Sequence, residues 1–62
     1  MKKYEYMVVY SVKGGIGRIQ IITEKLVETY ADVERFDTTI RESNRMPNAF
    51  TVDFKLLREY EE

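Results

Sequence analysis

Sixty-two residues with neither Cys nor His make one domain at most, and exclude disulfides, Cys/His zinc sites and mechanisms built on a thiolate or an imidazole. A chain this short buries only roughly 60% of the surface its unfolded form exposes, so association with another chain is the natural supplement to its core. The net charge of −1 conceals an asymmetry: residues 1–23 hold Lys2, Lys3, Lys13 and Arg18 against Glu5 (4 − 1 = +3), while residues 24–62 hold 6 bases against 10 acids (6 − 10 = −4).

Tyr4 to Val12 alternates with period 2. Tyr4, Tyr6, Val8, Tyr10 and Val12 share one face, and Glu5, Met7, Val9 and Ser11 the other. With its β-branched and aromatic residues this predicts a strand over about 4–12. Gly14-Gly15 can take the positive φ angles of a two-residue hairpin turn, which leads to a second strand over about 17–23. In that register Tyr10 faces Ile19 and Val8 faces Ile21 on one side, while Met7 faces Ile22 and Glu5 faces Glu24 on the other, so the strongly apolar pairs of the first side fall together.

Thr29-Tyr30-Ala31-Asp32 reads as a helix start. The Thr29 hydroxyl caps, and Asp32 sits in the first turn, where negative charge is favoured. Tyr30, Val33, Phe36 and Ile40 lie at helical spacing over about 30–44, and Asp37 with Arg41 forms an i,i+4 pair. Pro47 closes the element. Phe50, Val52, Phe54 and Leu56 then alternate, predicting a third strand over about 49–57. A helix carrying Phe54, Leu57 and Tyr60 is the rival reading.

A β-β-α-β chain of this kind is simplest as an α+β fold. Its antiparallel sheet has the order 2-1-3, with the helix on one face. The expected core is Tyr6, Val8, Tyr10, Ile19, Ile21, Val33, Phe36, Ile40, Phe50, Val52, Phe54 and Leu56.

No constellation points to catalysis, cofactor or metal. Lys13-Gly-Gly-Ile-Gly-Arg18 is Gly-rich and basic, but it joins two strands and lacks the spacing of a nucleotide-binding loop. Tyr4, Tyr6 and Tyr10 would stack bases only on an open sheet face, and the helix is expected to cover theirs. The serines and threonines have no base to activate them. Met1-Lys2-Lys3 is followed by a strand pattern rather than a signal peptide. The longest apolar run, Tyr6 to Tyr10, is too short to span a bilayer, so the expected location is cytoplasmic with no membrane partner.

The strand Tyr4-Glu-Tyr-Met-Val-Val-Tyr-Ser11, the Gly-Ile-Gly-Arg18 turn, the Thr29-x-x-Asp32-Val33 helix start and the closing Phe54-Lys-Leu-Leu57 together resemble small uncharacterised proteins of phages and prophages from Gram-positive bacteria. The resemblance implies an accessory protein that binds, blocks or redirects a larger protein, such as a host defence or nucleic-acid-processing protein. It transfers no functional site. The expectation is therefore a non-enzymatic protein-binding module. It is expected to form a homodimer through the sheet face opposite the helix, where Met7, Val9, Ile22 and Leu57 form an apolar patch. The alternative is a small nucleic-acid-binding module whose phosphate contacts are Lys2, Lys3, Lys13, Arg18, Arg41 and Arg45.

Overall fold

In a computed structural model describing all of residues 1–62, the chain runs β1 (Lys2–Val12), β2 (Gly15–Thr23), α1 (Tyr30–Asn44) and β3 (Phe50–Glu61). The sheet is antiparallel in the order β2-β1-β3. The C-terminal segment is thus a strand, and it reaches four residues beyond the expected end at 57. No helix is long and apolar enough to cross a membrane.

The β1–β2 hairpin keeps the expected faces but not the expected register. Val12 pairs with Gly15, Tyr10 with Gly17, Val8 with Ile19 and Tyr6 with Ile21, a shift of two residues. The turn is therefore Lys13-Gly14 rather than Gly14-Gly15. Gly14 adopts φ 93, where a side chain would be strained. The shift also brings Gly17 beneath the Tyr10 ring: a Cβ there would lie 2.6 Å from the ring tip. The missing side chain lets the ring lie flat across β2.

Helix α1 starts on a reciprocal capping box. Asp32 N–H donates to Thr29 Oγ1 at 3.4 Å, and Thr29 N–H donates to Asp32 Oδ2 at 3.1 Å. It ends at Arg45, which takes the left-handed conformation (φ 55) and donates its N–H to the Arg41 carbonyl. Phe36 and Ile40 are buried and Val33 is half-buried, but Tyr30 projects into solvent. At that first turn the inward position belongs to the Asp32 carboxylate.

Strand β3 departs furthest from simple alternation. Its register against β1 slips between Glu5 and Tyr6 and again between Val9 and Tyr10, so Leu57 and Val52 are each an extra, unpaired residue. Each slip reverses the side-chain phase of the residues beyond it. Leu56 and Phe54 face the helix beside Tyr6 and Val8. Thr51 takes the inner place beside Tyr10, and Phe50 turns to the outer face beside Ser11. Phe50 and Val52 thus leave the expected core, each 48% exposed, and Phe54 and Leu56 stay only at its margin, 37% and 39% exposed, whereas Ala49 enters it, fully buried.

The buried centre is Tyr6, Val8, Ile21, Phe36, Ile40 and Ala49. Tyr6 and Phe36 of this centre form a triangle with Phe54 at its margin: Tyr6 meets Phe36 at 5.4 Å between ring centroids, Phe36 meets Phe54 at 5.8 Å, and Tyr6 meets Phe54 at 6.0 Å, all edge to face. Edge-to-face geometry sets the positive rim of one ring on the negative face of the next. One ring comes from each of β1, α1 and β3, so the triangle ties both layers. Phe36→Ala should cost about 3–5 kcal/mol, read as a fall in the urea midpoint; an unchanged midpoint would remove Phe36 from the core.

Candidate functional site

Helix α1 covers one side of the sheet and leaves the other bare. The pairings give four rows across that outer face: Ile16–Ser11–Phe50, Arg18–Val9–Asp53, Gln20–Met7–Lys55 and Ile22–Glu5–Arg58, with Lys3–Tyr60 beyond. Met7 and Val9 are half-buried between polar and charged neighbours, while Ile22 and Leu57 are about half exposed. Met7 and Leu57 line one shallow depression of about 210 Å³ together with Arg18, Ile19 and Gln20. The four expected patch residues thus lie on one face. The register shift, however, moves Ile22 from opposite Met7 to opposite Glu5.

Charges interleave with the apolar side chains: Arg18, Asp53, Lys55, Glu5 and Arg58 all stand in these rows. Arg58 Nε donates to Glu5 Oε1 at 2.9 Å, and the Arg58 guanidinium lies 4.4 Å from the centre of the Tyr60 ring. Glu5 therefore pairs with Arg58 and is not set against Glu24 as expected. Ile16, at 74% exposure, and Phe50 widen the apolar surface at the turn end. Sequence alternation had assigned Phe50 to the core, so its part in this face could not be read without the bulge at Val52.

The six basic residues of the nucleic-acid reading are dispersed. Lys2 and Lys3 lie at one end of β1 and Lys13 beyond the other, roughly 33 Å away at the rise of an extended strand. Lys2 Nζ is 3.6 Å from Glu59. Arg18 lies on the outer face, and Arg45 caps the helix. Arg41 is engaged: its Nε donates to the Ala49 carbonyl at 2.8 Å. The expected Asp37–Arg41 pair is replaced by two straps on the α1–β3 connection, because Asp37 Oδ1 accepts the Thr51 N–H at 2.6 Å.

A second concavity, about 490 Å³, lies between the end of β2 and the first half of α1. Its floor is Ile21, Val27 and Phe36, and its polar centre is Asp32. Asp32 is 5% exposed. Its Oδ2 accepts from Glu28 N–H at 3.0 Å, Thr29 N–H at 3.1 Å and the Thr29 hydroxyl at 3.1 Å. Its Oδ1 lies 3.3 Å from Lys25 Nζ and 3.6 Å from Arg35. Lys25 and Arg35 are thus occupied in neutralising an internal carboxylate. No group of three or more Asp or Glu stands where it could hold a metal ion.

No family model matches the chain, and neither a curated protein nor a solved structure matches it.

The Glu28 N–H, the Thr29 N–H, Lys25 and the Thr29 hydroxyl hold the Asp32 carboxyl down to about 2 from 3.8, against the opposing pull of burial. A carboxyl lowered in the fold stabilises it fully above the ordinary value, and that contribution is lost as pH falls through the folded value. Asp32→Asn should therefore be less stable than the parent at neutral pH, and the difference should shrink as pH falls from 3.8 towards about 2. Thermal melts at stepped pH check this; a pH-independent difference would mean that the ionised carboxylate is not what caps the helix.

Proposed function

We propose that this chain is a non-enzymatic binding protein whose contact surface is the outer face of the sheet. The observation that carries the reading is the one-sided architecture. All the layered packing lies on the helix side, while Met7, Val9, Ile22 and Leu57, joined by Ile16 and Phe50, remain on the other. Apolar side chains on one open face, interleaved with Arg18, Asp53, Lys55 and the Glu5–Arg58 pair, have the mixed layout of an interaction site. Burying such a side chain fully is worth about 1.5–3 kcal/mol, so a few of them can supply useful affinity.

The partner is a protein surface with apolar anchors and a mixed-charge rim. The resemblance to phage and prophage proteins suggests the setting: an accessory protein that blocks or redirects a larger host protein, such as a defence or nucleic-acid-processing factor. The basic residues of the nucleic-acid alternative fall in three separate places, Lys2 and Lys3 at the start of β1, Lys13 and Arg18 on the hairpin, and Arg41 and Arg45 at the end of α1.

The test compares the parent with Met7→Lys plus Val9→Lys as immobilised baits in lysate of a Gram-positive host. The parent should retain one or a few proteins that the double variant loses, while the two melt within a few degrees of each other. Retention of the same proteins by both baits would refute the outer face as the contact surface.

A further inference from the structure

The two edges of the sheet differ in their defences. In an antiparallel ladder alternate residues of an edge strand direct N–H and C=O groups outward, a template for another strand. Strand β3 is interrupted by bulges at Val52 and Leu57 and carries Asp53, Lys55, Arg58, Glu59 and Glu61. Bulges and charges are the usual protection of an edge. Strand β2, Gly-Ile-Gly-Arg-Ile-Gln-Ile-Ile-Thr, pairs with β1 without a slip, lacks Pro and has Arg18 as its only charge.

We infer that β2 is the contact edge of a two-fold homodimer, in which the β2 strands of two copies pair antiparallel about Ile19. A two-fold axis normal to the sheet sets each residue opposite another of the same face. Centring it on Ile19 matches every position of the strand. On the outer face Ile16 meets Ile22 of the second copy, and Arg18 meets its Gln20. On the helix side Ile19 meets Ile19, and Gly17 meets Ile21 beside the Tyr10 ring that overlies that glycine. Moving the centre by one residue sets Ile16 against Gln20 in one direction and Arg18 against Ile22 in the other, so of these three registers only the one centred on Ile19 sets Ile16 on Ile22 and Arg18 on Gln20. Ile16 and Ile22, 74% and 48% exposed, cover each other, and no like charges meet.

The product is one sheet of three strands from each copy, with both helices on the same side. Ile16 and Ile22 are covered at the seam, while Met7, Val9 and Leu57 of each copy remain open on the outer face, so the pairing holds whether or not they bind a partner. The homodimer expected from the sequence is thereby moved from the face to the edge.

Sedimentation equilibrium of the full chain across the micromolar to millimolar range tests the inference, with circular dichroism confirming that each variant is folded. The parent should reach the dimer mass. Gln20→Lys sets an ammonium opposite Arg18 of the second copy twice per dimer, and should weaken association about tenfold. Adding Arg18→Glu to it turns both contacts into opposite-charge pairs and should restore the parent's affinity. Met7→Lys plus Val9→Lys should leave the dimer intact. A parent that stays monomeric overturns the inference, as does a Gln20→Lys variant that associates like the parent. Failure of Arg18→Glu to rescue it, or a dimer abolished by the Met7 and Val9 lysines, would do the same.

Discussion

Tyr6 holds three parts of the molecule at once. Its ring packs edge to face on Phe36 of the helix and Phe54 of β3, and its hydroxyl accepts the Val27 N–H at 2.8 Å. That hydrogen bond fixes the connection that turns the chain out of β2 and over the sheet. A chain of this size has few buried side chains to share the entropic cost of folding. A residue that secures the helix, the third strand and a loop together therefore carries a large share of the stability. Asp32 begins the helix where that loop ends, and the Asp37 and Arg41 straps return the chain to β3.

Committing the apolar and aromatic weight to one side leaves the other side exposed. With one helix and three strands, the fold has no second layer for the outer face, and its central strand offers Met7 and Val9 there. Arg18 stands beside Val9 and Lys55 beside Met7, and such long side chains can lay their apolar stems over a neighbour while the charged ends stay in water, which keeps the surface wettable without closing it. The same economy leaves two free strand edges. Bulges and charges guard β3, whereas β2 is smooth, nearly uncharged and self-complementary. Face and edge share Ile16 and Ile22, but Met7, Val9 and Leu57 lie away from the β2 edge, so a dimer can form there while a different protein binds around them.

Strand parity, the helix, its Thr29 cap and the sheet order were legible from alternation and helical spacing, because each is dictated by which residues must be buried. The hairpin register was legible only to within two residues. A shift of two preserves both faces, and the observed register carries a contact, the Tyr10 ring over Gly17, that periodicity does not encode. The bulges in β3 were not legible. Phe50, Val52, Phe54 and Leu56 alternate as if the strand were regular, yet Thr51 is drawn inward, its N–H held by Asp37. Ala49 was missed because a small residue in a short connection has no pattern to betray it. Of the candidate surface, Met7, Val9, Ile22 and Leu57 could be placed on one face from parity alone, but Ile16 and Phe50 could not be added without the observed pairings.

Native-state amide exchange at Val27 tests most directly whether Tyr6 is the clamp on which this arrangement depends. Val27 lies in a connection outside every helix and strand, where exchange is ordinarily fast. If its N–H is held by the Tyr6 hydroxyl, it should exchange as slowly as the central amides of β1, opening only when the whole molecule unfolds. Exchange at Val27 as rapid as that of its exposed neighbour Leu26 would contradict the account.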